Sequence, residues 1–197
     1  MNELDAISVT RKTGEELFHL DGSVLSLSLQ DFWSWANSDL LNNILRGVLA
    51  EFLVASALGI ADGVRVEWDA KDLVTRSGVK IEVKSAAYIQ SWKQKQYSPI
   101  MFDIAPKQGW DAERNVSFSK QGRNADVYIF CLLAEKDQSK VDPLNVASWK
   151  FYILSSATLD RELGKQKTLR LSVLEKLAPE VVNYECMREA VEKVLAG

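Results

Sequence analysis

The run ADVYIFCLLA, residues 125–134, is almost continuously apolar. Ten residues are too few to span a bilayer, and the mix of β-branched and aromatic side chains suits an extended chain. Neighbouring side chains on a strand point to opposite faces, so a strand this apolar needs cover on both. The run therefore predicts a central strand inside a layered α/β domain. VRVEW (64–68), DLVT (72–75), VKIEVKSAAY (79–88), SPIMFDI (98–104) and WKFYIL (149–154) supply further strands. SDLLNNILRGVLAEFLVASALG predicts the strongest helix, with Ser38 as its N-cap and Gly59 ending it. Leu41, Ile44, Leu45, Val48, Phe52 and Ala55 form its expected apolar stripe. A short helix is expected from Ser28 to Asn37, and two more around 172–178 and 183–196, separated by Pro179. The order argues for one α/β domain over 1–197, a mixed β-sheet flanked by helices, with its core at about 38–154.

Length and composition agree with that frame. At 197 residues and 47% hydrophobic, the chain can bury one substantial core. The first residues lack the basic-then-apolar order of a signal peptide, which makes a cytoplasmic protein without membrane contact the expectation. His19 is the single histidine, which excludes a His-rich zinc site and a serine–histidine–aspartate triad built elsewhere. Cys131 and Cys186 have no partner at metal-ligand spacing and read as buried, reduced thiols. The net charge of −3 is unevenly spread. Residues 1–70 carry four basic and eleven acidic side chains, 71–123 carry ten and five, and 124–197 carry ten and eleven. An acidic protein with a basic middle can bind a polyanion locally.

The middle also holds the most specific chemistry. In DLVTRSGVKIEVK the turn could have two residues, Ser77-Gly78, or three, Arg76-Ser77-Gly78, the latter with Gly78 in the left-handed position. The three-residue register sets Asp72 opposite Glu82, with Lys84 two positions further along the same face. The two-residue register turns the Asp72 carboxylate away, because a one-residue slip exchanges the faces of a strand. Two facing carboxylates repel unless a cation lies between them. Magnesium, an octahedral ion with oxygen ligands, fits that role, with Asp72, Glu82 and the Val83 carbonyl as ligands. Lys84 would then stabilise developing negative charge, or help position or deprotonate the nucleophile. Glu51, one turn after Gly47 on the long helix, is a candidate third carboxylate.

The order Glu51, Asp72, Glu82-Val83-Lys84 resembles the PD-(D/E)xK nuclease superfamily, over roughly residues 38–134. That resemblance implies a restriction-endonuclease-like core and a Mg2+-dependent endodeoxyribonuclease, with Mn2+ able to substitute. It makes Glu51, Asp72, Glu82 and Lys84 the catalytic set. The superfamily's proline does not precede Asp72, where the sequence is WDAKD, and Asp69 competes as the first acid. Gln90, Lys93 and Lys95, set among Tyr88, Trp92 and Tyr97, and then Lys107, Arg114, Lys120 and Arg123 in an expected long loop, form the candidate nucleic-acid surface. DNA is the expected partner, and a homodimer is an open expectation because a duplex cutter needs two sites. The competing reading is a catalytically silent scaffold of the same fold that binds nucleic acid or a protein.

Overall fold

The computed structural model describes residues 7–66, 71–111 and 116–196, with the backbone alone for 110–111 and 116–120. A β-hairpin opens the described chain, β1 (Leu17–Leu20) and β2 (Ser23–Ser28), followed by helix α1 (Leu29–Ala36). Ser28 caps α1 by accepting from the Asp31 N–H, while the Asp31 carboxylate accepts from the Ser28 N–H. Helix α2 (Asn43–Leu58) leads into β3 (Leu73–Val74), β4 (Lys80–Ala87) and β5 (Met101–Asp103). A hairpin of β6 (Lys107–Asp111) and β7 (Val116–Gly122) precedes β8 (Val127–Leu133) and β9 (Trp149–Ser155). Helix α3 (Ser156–Leu163), β10 (Thr168–Arg170), α4 (Leu171–Leu174), β11 (Glu180–Val182) and α5 (Met187–Ala196) complete the chain.

The main sheet has five strands in the order β11-β9-β8-β4-β3, and only the β4–β8 pair is parallel. All seven residues of β8 are buried, as its unbroken apolar character predicts. Its alternate side chains serve two cores. Val127, Ile129, Cys131 and Leu133 pack with Ile81 and Val83 of β4 under α2 and α5. Tyr128, Phe130 and Leu132 pack on the other face against Ile100, Phe102, Leu159, Leu169 and Leu174. Full burial of one such side chain contributes about 1.5–3 kcal/mol, so these two layers hold the sheet. Among the described residues no helix is long and apolar enough to cross a membrane.

Several local expectations are corrected. Helix α2 starts at Asn42, whose side chain accepts from the Leu45 N–H, because the Asp39 carboxylate takes the N–H groups of Leu41 and Asn42 into a turn first. Gly59, at φ +70°, ends the helix as predicted. The buried face of α2 is Arg46, Ala50, Leu53, Val54, Ala55 and Leu58, whereas Ile44 is 79% and Phe52 53% exposed. The helix is apolar nearly all round, so periodicity does not single out a side. A Cβ on Gly47 would meet nothing within 4 Å, so no backbone approaches there. Residues 107–111 and 116–122 form a hairpin where a long loop is expected. Residues 64–66 carry no strand, and 67–68 lie outside the described residues. Cys131 is buried, but Cys186 is exposed, just ahead of α5.

The β3–β4 turn adopts the three-residue register. Thr75 N–H donates to the Val79 carbonyl at 2.9 Å, Gly78 N–H to Thr75 at 2.9 Å, and Leu73 pairs with Ile81. Gly78 sits at φ +87° with open space around its Cα, so only the backbone conformation requires glycine there. Gly78→Ala is expected to destabilise the protein by about 1–2 kcal/mol, measured as a lower urea midpoint at unchanged m-value; an unaltered midpoint would show that the left-handed turn does not set this register.

Candidate active site

Asp72 lies just ahead of β3, at the edge of β4. Its N–H donates to the Ile81 carbonyl at 3.1 Å, and its Oδ2 accepts from the Val83 N–H at 2.7 Å. The side chain thus continues, along β4, the hydrogen bonding that the two-residue strand β3 begins. Glu82, the neighbour of Val83 on β4, lies near enough for its charge to act on Asp72, and its Oε1 accepts from Lys84 Nζ at 2.6 Å, with both side chains largely buried. Asp72, Glu82 and Lys84 therefore gather at one edge of the sheet, on the positions that the three-residue turn requires. Glu51 faces the same region from α2. It and Asp72 line one cavity of about 380 Å3, together with Arg65, Val48 and Phe52. Arg65 holds Glu51 in a two-pronged ion pair, Nε to Oε2 at 2.5 Å and Nη2 to Oε1 at 3.0 Å.

The electrostatics follow from that crowding. Burial pushes the Asp72 carboxyl up to about 6, and the nearby charges of Glu82 and Glu51 add to the rise against the opposing Val83 N–H and Lys84. Burial pulls Lys84 down, but the Glu82 carboxylate, with Asp72 and Asp103, outweighs it and holds the ammonium above its ordinary value. Lys84 is accordingly a fixed positive charge and a poor base. Tyr128, the register partner of Glu82 on β8, is pushed up by burial and by the Glu82 charge, which keeps it a neutral phenol. Burial likewise raises the Cys131 thiol, which removes it as a nucleophile.

Asp103, whose carboxylate is held below its ordinary value against the pull of burial by the Ala105 N–H, Lys107 and Lys84, joins the rim of this site. Nothing in its local sequence marks it, because β5 reaches Lys84 only through the fold. Among the described residues no three His, Cys, Asp or Glu side chains stand close enough to hold a metal ion by themselves. Asp69, the competing first acid, lies outside the described residues.

The proposed nucleic-acid residues divide sharply. Lys93 and Lys95 are exposed on the loop after β4, beside half-exposed Trp92 and Tyr97. Lys107 is exposed and within 3.4 Å of Asp103. Gln90 is buried, its Oε1 accepting from Arg46 and its Nε2 donating to the Ala87 carbonyl, so it braces the loop and does not face solvent. Arg123 is also corrected: its side chain is fully buried, paired with Asp160 and donating to the carbonyls of Gly164 and Gln166. Those acceptors come from α3 and the residues after it, about forty positions downstream. Arg114 lies outside the described residues, as does the side chain of Lys120. Buried Arg46 is the functional candidate that sequence reasoning missed, and its only signal was a cation inside the apolar run NILRGVLAE.

A family model described as Bacteriophage T4 endonuclease IV matches residues 27–172, about three quarters of the chain. The matched span contains Glu51, Asp72, Glu82 and Lys84, and omits α5 and most of the first hairpin. No curated protein and no solved structure matches. The chain belongs to the bacteriophage T4 endonuclease IV family, which makes it a nuclease.

Proposed function

We propose that the protein is a divalent-metal-dependent endodeoxyribonuclease of the PD-(D/E)xK kind, with a restriction-endonuclease-like core, that hydrolyses DNA phosphodiester bonds at Asp72, Glu82 and Lys84. The observation that carries this reading is the closeness of Asp72, bonded to the Val83 N–H, to Glu82 at the β4 edge, with Lys84 bonded to Glu82, in a chain of an endonuclease family. The donor set fits magnesium: all ligands are oxygen, two carboxylates suffice for an ion that keeps several waters, and Asp72, raised first by burial and then by the Glu82 charge, would be relieved by a cation. Asp72 and Glu82, with the Val83 carbonyl, would hold the ion. When bound, it would supply positive charge to the phosphate and acidify a water for attack on phosphorus.

The chain's own groups do the rest. Lys84 would place its ammonium on the phosphate oxygens and stabilise the negative charge that grows there. Glu51 would support the attacking water from the helix side. Lys93 and Lys95 offer charge for the strand and Trp92 and Tyr97 offer faces for its bases. A second reading, a silent scaffold that binds without cutting, is favoured by one observation. Each carboxylate is already engaged by a protein group: Glu51 by Arg65, Asp72 by Val83 N–H and Glu82 by Lys84.

Two measurements separate these readings. Lys84→Ala should lower the cleavage rate of supercoiled and linear DNA in Mg2+ by about 10²–10³ while DNA affinity in chelator changes little; equal cleavage by the variant and wild type would remove Lys84 from catalysis, and a wild type that binds but never cuts would support the scaffold. Asp72→Asn should abolish cleavage yet stabilise the fold. The folded Asp72 carboxyl titrates at about 6 against the ordinary 3.8, so the folded state binds the extra proton and stability is lost as pH rises through that window. In chelator the substitution should therefore raise stability at pH 8 by up to about 3 kcal/mol, and the gain should vanish near pH 4. A variant less stable than wild type at pH 8 would contradict the crowding of charge described here.

A further inference from the structure

Arg46 on α2 is 3% exposed, and among the described residues no carboxylate lies within ion-pair distance of it. Its partners are neutral oxygens. Nε donates to Ser85 Oγ at 3.2 Å, Nη1 to the Leu41 carbonyl at 2.9 Å and to Gln90 Oε1 at 2.8 Å, and Nη2 to Asn43 Oδ1 at 2.7 Å. Four of the five N–H donors of the guanidinium are used and one on Nη2 is left over. These bonds fix the position of the cation and do not neutralise it. A buried charge without a counter-charge is costly, and burial already pulls this guanidinium down to about 10.

The cation borders a cavity of about 390 Å3 lined by Asn43, Ser85, Gln90, Trp92 and Ser98, with no carboxylate in its walls. Both serine hydroxyls there act as acceptors toward the protein. Ser85 Oγ accepts from Arg46 Nε, and Ser98 Oγ accepts from the side-chain amides of Gln90 at 3.3 Å and Gln94 at 3.0 Å. Both lone pairs of Ser98 Oγ are thus taken, so its hydrogen points away from the two amides, while Ser85 Oγ has one lone pair taken. Neither Ser85 nor Ser98 donates its hydroxyl hydrogen to an acceptor among the described residues. The cavity is thus cationic and rich in donors, which is the chemistry of an anion site. Trp92, 51% exposed, adds a flat apolar surface at its wall. Ser85 and Lys84 point to opposite faces of β4, but the cavity is lined by both Ser85 and Ala86, so it wraps the strand edge onto the face that Lys84 shares with Ala86.

We propose that this cavity is a phosphate subsite, in which Arg46, Ser85 and Ser98 hold a backbone phosphate of the DNA strand next to the one that is cut, with an adjoining base on Trp92. The proposal rests on the nuclease reading for its choice of anion, but its test does not require cleavage. A nucleotide step of DNA and one or two strand residues cover comparable distances, so a phosphate on Arg46 would fix the strand's register at Lys84. Arg46 is then a substrate-positioning residue, distinct from the groups that act on the scissile phosphate.

The test is anisotropy binding of a labelled oligonucleotide in chelator across a salt series, with wild type, Arg46→Gln, Ser85→Ala and Trp92→Ala. Arg46→Gln is expected to weaken binding about tenfold or more and to reduce the slope of log K against log salt by about 0.7–0.9. Ser85→Ala and Trp92→Ala should each weaken binding severalfold, the first with and the second without loss of protection by inorganic phosphate in thermal melts. In Mg2+, KM should rise with kcat within about threefold of wild type. A 5′-phosphorylated oligonucleotide should bind no better than an unphosphorylated one; tighter binding would assign the cavity to a strand end and overturn the internal-phosphate assignment. If Arg46→Gln fails to fold by circular dichroism, Ser85→Ala and Trp92→Ala decide. Unchanged affinity in those variants, or a wild type that binds no oligonucleotide, overturns the proposal. A wild type that binds as described but never cuts removes the nuclease reading and leaves the subsite in place.

Discussion

Asp72 reaches the Val83 N–H and comes near the Glu82 charge because the chain turns at Gly78 with three residues in the loop. That register is the constraint on which the rest depends. One residue fewer would send the Asp72 carboxylate to the opposite face, leave an N–H on the β4 edge without this acceptor, and remove the negative charge that faces Glu82. The turn itself needs a left-handed glycine, and the two-residue strand β3 adds little further hold. The hairpin is secured from behind, where Ile81 and Val83 pack into the core under α2 and α5. A well-packed core thus holds a pair of charges that would not choose each other's company.

The cost of that arrangement is local and purposeful. Asp72 is raised by burial and by two carboxylate neighbours, Lys84 is held cationic against burial, and Glu51 is paired with Arg65. On the proposed reading a divalent cation and a phosphate would take over these interactions: Lys84 would pass from Glu82 to a phosphate oxygen, and Glu51 would turn from Arg65 toward the proposed centre. Next to it, Arg46 shows the same economy with the opposite sign, a cation positioned by neutral oxygens and not cancelled by them.

How much of this is legible in the sequence depends on how local the cause is. The seven buried residues of β8 are visible because a strand covered on both faces leaves an unbroken apolar run. The β3–β4 register is visible because Gly78 and a three-residue turn are sequence neighbours of both carboxylates. The orientation of α2 is not, since Leu, Val and Ile lie on every side and its burial is decided by Arg46 meeting Gln90 and Ser85, some forty residues on. Arg123 misleads for the same reason: a basic residue in a polar stretch reads as a phosphate contact until Asp160 and the Gly164 carbonyl fold over it. The β6–β7 hairpin escapes detection because Lys, Gln, Gly and Ser interrupt the alternation that marks a strand. Local turn chemistry and unbroken burial are legible; partnerships across forty residues are not.

The proposed cleavage centre at the Asp72–Glu82 edge requires a divalent cation to bind there. The most direct measurement is a crystal of wild-type protein soaked in Mn2+ with data collected for manganese anomalous scattering. A manganese peak is expected in contact with carboxylate oxygens of both Asp72 and Glu82 and with the Val83 carbonyl, and it should be lost in Glu82→Ala. A peak at other residues, or none at this edge in a preparation that cuts DNA in Mn2+, would contradict the proposed centre.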